Sequence, residues 1–459
     1  MMRVSEAAFA LGVEHIGGNP TFTSVGTDSR NIKPGELFIA LRGPHFDAHQ
    51  YLGAAQAAGA VAVMTDVEGA ALAPADLPCI VVNNTRTGLT QLAYAWRSRF
   101  TGPLVALTGS SGKTTVKEML AAILREVADG AVLATRGNLN NDIGVPLTLL
   151  ELRDTHRCAV IELGMNHAGE ISRLTRLARP DVALINNAGR AHIEHLGSIE
   201  AIARAKGEIF EGLAENGTAV INADDTHAAL WKKLLNKNKC LSFGLDGPAD
   251  ISARYALRAL DSELHITTPA GEVSATVNAP GLHNVRNALA ACAAAFALDV
   301  PLAAMTAGLA RYAGVKGRLQ RTPAQSGAML IDDTYNANPE SMRAAIDVLA
   351  RMPGKRLLVL GDMGELGERA AACHAEVGDY ARRAGIEQLF ALGDMSVNTV
   401  SAFGAGAMHF PDIDALLMNI KNRLAPELTV LVKGSRFMQM ERVVKAFAVN
   451  EREREGAHT

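Results

Sequence analysis

Short apolar runs that end in glycine or polar residues recur through the middle of the chain. Four of them, between residues 104 and 225, read LVALTG, AVIELG, VALINNAG and TAVINADD. Runs of this length alternate with helical patterns, and together they predict a parallel sheet with helices on both faces. The pattern after the first run predicts a helix with one apolar face, formed by Val116, Met119, Leu120, Ile123, Leu124 and Val127.

The segments on either side have patterns of their own. Residues 1–100 contain two short strand patterns, GELFIAL and AVAVMT, with an alanine-rich helix between them. Residues 251–278 alternate around Pro269-Ala270-Gly271, which predicts a β-hairpin. From about residue 315, the runs RLLVLGD, QLFALGD and LTVLVKG predict a second, smaller parallel sheet.

These changes of pattern divide the chain into three predicted domains. A chain of 459 residues is too long for one core, and about three domains of ~150 residues are expected. The stretch RSRFTGP (97–103) has the composition of a linker. The predicted class is therefore α/β, with a small domain over 1–100, a central parallel-sheet domain over 101–314 and a third domain over 315–459.

Composition and charge are those of an ordinary globular protein. The chain is 48% hydrophobic and 20% charged, and its net charge of -3 gives no reason to expect a nucleic-acid partner. The longest apolar run, 288–298, stops at Asp299, so it predicts a core helix rather than a membrane span. The N-terminus shows no export signal. Five dispersed cysteines without a C-x-x-C spacing predict buried thiols in a reducing cytoplasm: Cys79, Cys158, Cys240, Cys292 and Cys373.

The stretch LTGSSGKTT (107–115) stands between a predicted strand and a predicted helix. The usual phosphate-loop pattern, G-x-x-x-x-G-K-S/T, requires a glycine where Leu107 stands, and the nearest glycine is Gly109. Backbone N–H groups of Ser110, Ser111 and Gly112, the helix N-terminus and Lys113 could still surround an anion. Thr114 would offer a hydroxyl to Mg²⁺. We favour a nucleotide site over a plain turn with a surface lysine.

Two charged residues later in the chain can each be interpreted in two ways. Glu162 ends the second apolar run, where it either meets a cation such as a bound metal or reaches solvent. Lys206 falls on the apolar stripe of a predicted helix, seven residues after Ile199. Periodicity alone favours a lysine that extends to solvent over a functional amine with a lowered pKa. A neutral amine there could react with carbon dioxide to give a carbamate.

Polar residues elsewhere suggest weaker hypotheses. His192 and His195 have an i, i+3 spacing, but no further ligand is placed for a structural zinc site. A single histidine that assists a magnesium site, or mere loop polarity, is the preferred interpretation. Three carboxylates stand at strand ends of the third domain, and each alone could be a helix cap or part of a turn: Asp332, Asp333 and Asp362. Together with Lys433 and Arg436 they could line a pocket for a zwitterion.

Several stretches in the same order resemble one family. TGSSGKTT resembles the ATP-binding loop of the Mur ligases, in which a glycine at the position of Gly109 is the usual arrangement. The other matching stretches are IELGMNHAGEI, NNAGRAHIEHLGSIEAIARAKGEIF, GLHNVRNALAA and IDDTYNANPESMRAAI. The resemblance extends to the N-terminal TDSRNIKPGELFIALRGPHFDAHQY, where Ala48 stands at a position at which the family is expected to have glycine.

The resemblance implies an activity. DDTYNANPESM, LGDMGELG and the N-terminal stretch resemble the members that add D-alanyl-D-alanine to a UDP-N-acetylmuramoyl-tripeptide in cytoplasmic peptidoglycan precursor synthesis. ATP would convert the tripeptide carboxylate into an acyl phosphate, which the dipeptide amine then attacks. The implied architecture is a UDP-binding domain, a central P-loop-type ATPase domain and a Rossmann-like C-terminal domain. We expect a monomer with small-molecule substrates only.

The resemblance also implies roles for individual residues. Residues expected at the nucleotide are Gly109, Ser110, Ser111, Gly112, Lys113, Thr114, Thr115, Asn287, Arg318, Asp333, Asn336 and Asn338. Two Mg²⁺ ions are expected, one on Thr114 and Glu162 and one on His192 and a carbamylated Lys206. Lys113, Glu162, His192, Lys206 and Arg318 would be catalytic. Substrate contacts are expected from Ser29 and Arg30 near the UDP, and from Asn140, Asn141, Asp362, Lys433 and Arg436.

Two alternatives remain from the sequence. A nucleotide switch module is one, although no guanine-type N-K-x-D element follows the loop. A different ligase of the same superfamily is the other, such as the Mur ligase that forms the tripeptide or a folylpolyglutamate synthase. Three domains with ligands between them also predict hinge motion near residues 100 and 315.

Overall fold

The computed structural model describes residues 1–191, 193–235 and 237–449. Each third of the chain builds one sheet of five or six strands, and two small sheets of two and three strands accompany them. Most neighbouring strands in the three large sheets are parallel, and helices connect them. The predicted α/β class is confirmed.

The N-terminal sheet has five strands in the order β2-β7-β6-β5-β4, with only β2 antiparallel to its neighbour. β1 and β3 form the separate two-stranded sheet. The strands are β1 Met2–Arg3, β2 His15–Ile16, β3 Thr21–Phe22, β4 Ser24–Gly26, β5 Glu36–Ile39, β6 Ala62–Thr65 and β7 Cys79–Val81. The helices are α1 Val4–Leu11, α2 Leu52–Ala57, α3 Val67–Ala70 and α4 Thr85–Arg97, with a 3-10 turn at Ala48–Tyr51.

The central sheet has six parallel strands in the order β13-β12-β11-β8-β10-β9. A three-stranded antiparallel sheet, β14-β15-β16, contains the predicted hairpin. The strands are β8 Leu104–Thr108, β9 Val132–Ala134, β10 Cys158–Glu162, β11 Val182–Ile185, β12 Thr218–Asn222, β13 Lys239–Phe243, β14 Ser252–Leu257, β15 Ser262–Thr268 and β16 Gly271–Val277. The helices are α5 Lys113–Val127, α6 Gly144–Leu150, α7 Glu170–Ala178, α8 Ile193–Leu196, α9 Ile199–Gly207, α10 Ala228–Leu234, α11 Leu282–Phe296 and α12 Leu302–Arg311, with a 3-10 turn at Glu208–Gly212.

The C-terminal sheet has the order β17-β18-β22-β19-β20-β21, and only β17 is antiparallel. Its strands are β17 Gln320–Pro323, β18 Met329–Asp333, β19 Lys355–Gly361, β20 Gln388–Leu392, β21 Ala407–Phe410 and β22 Leu428–Lys433. The helices are α13 Pro339–Ala350, α14 Ala370–Arg383, α15 Ser396–Phe403, α16 Ile413–Lys421 and α17 Glu441–Phe447, with 3-10 turns at Gly367–Arg369 and Arg436–Met438.

Alternation along the buried strands explains why helices cover both faces of the central sheet. Val105 and Leu107 on β8 pack in the cluster that contains α5 and α11, whereas Leu104 and Ala106 face the opposite cluster. Side chains of a strand point to the two faces in turn, so both faces must be covered. The apolar run 288–298 lies in and just after α11, which confirms a core helix.

Three expectations about single residues need correction. Val127, placed on the apolar face of α5, is 41% exposed because it is the last residue of the helix. Cys240 is exposed near the start of the edge strand β13, whereas the other four thiols are buried. Ala48 begins a 3-10 turn capped by Asp47 and is absent from the residues with positive φ, so no glycine is required there.

Among the described residues, no helix is long and apolar enough to cross a bilayer.

Candidate active site

Strand order brings three polar segments to one edge of the central sheet. β8 lies between β10 and β11, and all three are parallel, so their carboxyl ends meet. β8 leads into the loop 109–112, β10 ends at Glu162, and β11 is followed by Asn186. Ligands of such sheets bind outside the carboxyl ends, where the strand order reverses.

The loop requires glycine at two positions. Gly112 has φ +79°, which side chains rarely adopt, and a Cβ there would overlap Asn287 Oδ1 and lie 2.7 Å from Asn186 Nδ2. A Cβ on Gly109 would lie 3.0 Å from Asn186 Cβ. The loop is therefore folded tightly against α11 and the residues that follow β11, whereas Leu107, where the usual pattern has glycine, is a buried residue of β8.

The loop backbone is less free to bind an anion than the sequence predicts. Ser110 donates its N–H to Asn187 O at 3.0 Å, and Ser111 donates its N–H to Asn187 Oδ1 at 2.8 Å. The expectation that these two N–H groups point to a ligand is wrong for this conformation, because Asn187 already accepts from both. The first turn of α5, whose N–H groups have no partner within the helix, stays available.

Lys113 is the half-buried cation at the start of α5. Its Nζ donates to Gly109 O at 2.7 Å, across the turn of the loop. Burial lowers the pKa of Lys113, the charge of Glu162 opposes that shift, and the charge of Arg318 adds to it. The structure thus brings these three sequence-predicted residues close together.

Glu162 is buried, with 2% of its surface exposed, so the reading in which it reaches solvent is wrong. Asn140 Nδ2 donates to Glu162 Oε1 at 2.8 Å. Glu162 Oε2 is buried and has no hydrogen-bond partner within the described residues. A buried carboxylate oxygen without a partner is costly unless it meets a cation, and Mg²⁺ prefers oxygen ligands. This oxygen therefore fits the expected metal.

Lys206 is also buried, with 1% of its surface exposed. The preferred interpretation from periodicity, a lysine that extends to solvent, is therefore wrong. Burial lowers the pKa of Lys206 well below its ordinary value, and the nearby charge of Lys113 lowers it further. Both effects favour the neutral amine, which is the form that can react with carbon dioxide.

Of the two histidines that the sequence analysis considers, the structure describes only His195, because His192 lies outside the described residues. His195 is in the short helix α8, and its ring centroid is 5.1 Å from that of His167. In the part of the chain that the structure describes, no three His, Cys, Asp or Glu side chains are grouped to hold a metal by themselves.

Residues that follow the central sheet in sequence form the opposite wall. Arg318 Nη2 donates to Thr114 Oγ1 at 3.0 Å, and the guanidinium lies 4.4 Å from the centroid of the Tyr335 ring. Asn338 caps α13 and donates its Nδ2 to Ser111 Oγ at 3.2 Å. The C-terminal part of the chain therefore contacts the loop directly.

Asp333 and Lys433 form a buried ion pair in this wall. Lys433 Nζ lies 2.7 Å from Asp333 Oδ2 and donates to Asn336 O at 2.8 Å. Leu319 N–H donates to Asp333 Oδ1 at 3.2 Å. Asn287 and Thr115 are buried among the residues that line the same cavity.

Two of these acidic residues act in a helix cap and a turn, the alternative that the sequence left open, although Asp332 also lines the cavity. Asp362 accepts from Ser396 N–H at 2.8 Å and from Met395 N–H at 3.1 Å, so it caps α15. Asp332 accepts from the Thr334 hydroxyl at 2.6 Å within a turn. Arg436 lines the cavity but pairs with Glu441 at 3.1 Å. Asp362 therefore does not belong to the predicted zwitterion pocket.

The residues predicted for UDP lie away from this cavity, whose described lining includes neither of them. Arg30 forms a two-pronged ion pair with Asp28, and the hydrogen bonds from Arg30 lower the pKa of Asp28 to about 2. Ser29 is next to this pair. Asn141, by contrast, lines the cavity and accepts from Gly144 N–H at 2.8 Å at the start of α6.

The cavity between the central and C-terminal sheets measures about 1880 Å³. Several of its lining residues were not singled out from the sequence: Asn186, Asn187, Arg190, His283 and Asn284. Asn186 and Asn187 stand within the run VALINNAG and Arg190 follows it directly, so polar residues at the end of a strand are the signal that could have identified them. Their importance becomes clear only from the strand order.

Comparison with known proteins gives one consistent family. The profile of the Mur ligase middle domain matches residues 107–295, that of the Mur ligase glutamate ligase domain matches 317–436, and that of the Mur ligase catalytic domain matches 21–97. The UDP-N-acetylmuramoyl-tripeptide–D-alanyl-D-alanine ligase of Escherichia coli is 44% identical over 97% of this chain and 98% of its own length. The chain belongs to the Mur ligase family.

Solved structures of Mur ligases agree with this membership. A crystal structure of MurF from Acinetobacter baumannii has a TM-score of 0.88 at 35% identity, and covers 96% of this chain and 98% of its own. The MurF ligase of Thermotoga maritima, solved in complex with ADP, has a TM-score of 0.80 at 27% identity, and covers 93% of this chain and 96% of its own. The similarity therefore extends across all three sheets of this Mur ligase.

Proposed function

We propose that this Mur ligase joins D-alanyl-D-alanine to a UDP-N-acetylmuramoyl-tripeptide at the expense of ATP. The observation that carries the chemistry is Glu162, which is buried near Lys113 and has one carboxylate oxygen without a hydrogen-bond partner in the described part of the chain. Near-full-length similarity to ligases named for this reaction supports the choice of substrates. The alternatives, a nucleotide switch or another ligase of the superfamily, have no comparable support.

The reaction has two steps. The terminal carboxylate of the tripeptide attacks the γ-phosphorus of ATP, ADP leaves, and an acyl phosphate forms. The amine of the dipeptide then attacks the acyl carbon, the tetrahedral intermediate expels phosphate, and the nitrogen loses a proton. Both substrates of the first step are anions, so concentrated positive charge is needed to hold them together.

Residues of this chain supply that charge. Lys113 at the start of α5 would hold the phosphates, and Arg318, which already donates to Thr114, would approach them from the C-terminal side. Asp333, Asn336 and Asn338 would line the nucleotide on the same wall, and Asn287 of α11 would line it beside the loop.

Thr114 and Glu162 would hold one Mg²⁺, and a carbamylated Lys206 with His192 would hold a second. A bound Mg²⁺ neutralises charge on the phosphates. The support for the carbamate is the burial of Lys206 together with a pKa lowered toward the neutral amine. A carbamate would place a negative charge next to Lys113 and offer oxygen ligands to the metal.

Each of the three large sheets would belong to a domain that binds one substrate. Residues 1–100 would hold the UDP end of the substrate, residues 101–314 the ATP, and residues 315–459 the dipeptide, with Asn140, Asn141, Lys433 and Arg436 along the peptide. The protein would act as a monomer in the cytoplasm. The described part of the chain has the cavity that this arrangement needs, between the central and C-terminal sheets.

Phosphate release tests the proposal. The protein is incubated with ATP and Mg²⁺, and the UDP-linked tripeptide or D-Ala-D-Ala is left out in turn. We expect phosphate only with both present, together with a pentapeptide product identified by mass. ATP hydrolysis that requires neither the tripeptide nor the dipeptide, or a preference for GTP over ATP, would favour the nucleotide switch module instead.

A further inference from the structure

Lys117 is a buried cation that the proposed reaction does not use. It lies one helical turn after Lys113 on α5, with 1% of its surface exposed. Its ammonium group donates to the backbone carbonyl of Thr135 and lies 2.9 Å from Glu118 Oε1. Glu118 is partly exposed, so the buried member of this pair is the lysine. Burying its ammonium group costs desolvation, and an apolar residue of similar volume is often as stabilising or more so. Stability alone therefore gives no reason for a lysine here.

Thr135 connects this lysine with Glu162. It follows β9 and is itself buried, with 1% of its surface exposed. Its N–H donates to Val160 O at 3.0 Å, and its hydroxyl oxygen accepts from the N–H of Glu162 at 2.9 Å. Thr135 thus fixes the last residue of β10, the one that carries the unpartnered carboxylate oxygen.

The segment after Thr135 contributes to the same arrangement. Asn140 donates its Nδ2 to Glu162 Oε1 at 2.8 Å, and its carbonyl accepts from Gly164 N–H at 2.8 Å. One oxygen of Glu162 is therefore held in place, while the other has no hydrogen-bond partner among the residues that the structure describes. The carboxylate is oriented before any ligand arrives.

We infer that Lys117 and Thr135 are positioning residues that orient the Glu162 carboxylate toward a divalent cation. Two consecutive hydrogen bonds, through the carbonyl and the hydroxyl of Thr135, join α5 to the end of β10. α5 carries Thr114, so the same link fixes the distance between the two residues proposed to share a metal. The inference rests on the proposed metal role of Glu162.

Mn²⁺ binding tests this role without any turnover. Mn²⁺ is titrated into the full chain with ADP and no peptide substrate, and free Mn²⁺ is followed by electron paramagnetic resonance. Thr135→Val removes the hydroxyl with little change of shape, whereas Thr135→Ser keeps it. We expect Thr135→Val and Lys117→Met to weaken Mn²⁺ binding about tenfold, as losses of outer partners of metal ligands do, and Thr135→Ser to restore it to within about twofold of the unmodified chain.

Thr148→Val is the matched control. Thr148 is also a buried threonine, with 2% of its surface exposed, and its hydroxyl donates to Gly144 O at 2.8 Å within α6. We expect this variant to keep its Mn²⁺ affinity. ADP affinity measured in the presence of EDTA should be unchanged in all variants, because none of the substituted side chains belongs to the proposed nucleotide contacts.

Unchanged Mn²⁺ affinity in folded Thr135→Val would overturn the inference, and so would an equal loss in Thr148→Val. If Lys117→Met fails to fold, the comparison of Mn²⁺ affinity between Thr135→Val and Thr135→Ser is sufficient to test the inference. Failure of the ligase assay is a separate result, since no peptide is present here. If Glu162→Gln leaves Mn²⁺ binding intact, the metal role of Glu162 falls, and the inference falls with it.

Discussion

Lys206 is the residue at which burial most changes the available chemistry. A lysine with 1% exposure beside a second lysine is held toward its neutral form. Such an amine is either a costly structural element or a group with a function. The proposed carbamylation would give it one, because it would convert the amine into an oxygen ligand of opposite charge.

Replacement of Lys206 by alanine should therefore abolish most of the activity. We expect a loss on the order of 100-fold in kcat, similar to removal of one preorganised electrostatic group. Short carboxylic acids added to Lys206→Ala should recover part of the rate by occupying the space of the carbamate. Lys206→Arg, which cannot form a carbamate, is the comparison. Full activity of either variant would contradict the second-metal role.

His283 gives a prediction for the pH dependence of stability. Burial, with a smaller effect from the charge of Lys433, lowers the pKa of His283 to about 4. The unfolded chain, with a histidine pKa of about 6.5, then binds a proton between these values that the folded chain does not. Stability present above pH 6.5 is therefore lost as the pH falls toward 4.

Chemical denaturation at pH 7 and pH 4.5 measures this loss. The contribution of His283 should be on the order of 2 kcal/mol, less than the full shift implies because the side chain is partly exposed. His283→Gln should flatten the pH dependence by that amount. His45→Gln removes an exposed histidine and should leave the dependence unchanged. The same slope in both variants would show that another group is responsible.

At the scale of elements, the connection from β8 to α5 depends on backbone shape. Gly112 has φ +79° and no room for a Cβ, because Asn287 and Asn186 approach it. Gly130, just after α5, has the same φ of +79° and nothing within 4 Å of a Cβ. Comparing substitutions at these two glycines therefore separates the cost of backbone strain from the cost of overpacking.

Gly130→Ala should cost only the strain of a left-handed backbone, about 1 kcal/mol. Gly112→Ala should in addition displace the two asparagines and weaken ATP binding at least ~10-fold, since overpacking costs about 1–3 kcal/mol. Calorimetric titration with ATP measures the affinity, and thermal unfolding measures the strain. Equal ATP affinities in the two variants would mean that the loop does not need its close contact with α11.

At the scale of the whole molecule, Arg190 joins the central and C-terminal sheets. Its Nε lies 2.6 Å from Glu340 Oε1 and its Nη1 lies 2.8 Å from Glu376 Oε2, with Arg343 also paired to Glu376. Arg190 follows the end of β11, whereas its partners lie on α13 and α14. A partly buried, multiply hydrogen-bonded arginine is worth more than an exposed ion pair.

Arg190→Gln should therefore loosen the approach of the C-terminal sheet to the nucleotide. We expect kcat/KM for ATP to fall about tenfold, in line with about 1.5 kcal/mol for a charged hydrogen bond. Small-angle scattering should show a larger radius of gyration. Arg176→Gln is the control, because Arg176 pairs with Glu211 inside the central part. A loss of equal size in the control would assign the effect to general destabilisation.

Domain closure is a separate prediction for the unmodified chain. Ligands that bind between domains favour the closed arrangement, with hinges expected near residues 100 and 315. Scattering with an ATP analogue and the UDP substrate should show compaction relative to the free protein. The absence of any compaction would contradict the hinge prediction.

The sequence by itself determined the elements and the chemical type of the site. Short apolar runs, helical spacing after Thr114 and the alternation around Pro269 predicted strands, α5 and a hairpin that the structure contains, because local periodicity reports burial on one or two faces. The loop with Lys113 is recognised from a different signal, its glycines and the Lys-Thr pair between a strand and a helix. The short edge strand β9 and the lining residues Asn186 and Asn187 were missed, because their significance depends on which strands are neighbours.

Only the tertiary structure decided between the alternatives for single charged residues. Spacing cannot distinguish a lysine that reaches solvent from one enclosed by other elements, and Lys206 is enclosed. Glu162 was ambiguous for the same reason, since its environment consists of residues from β9, α5 and the segment around Asn140. A carboxylate at a strand end could be a helix cap or part of a pocket, and Asp362 caps the neighbouring α15. Burial and partner choice arise from contacts distant in sequence, and those contacts exist only in the folded chain.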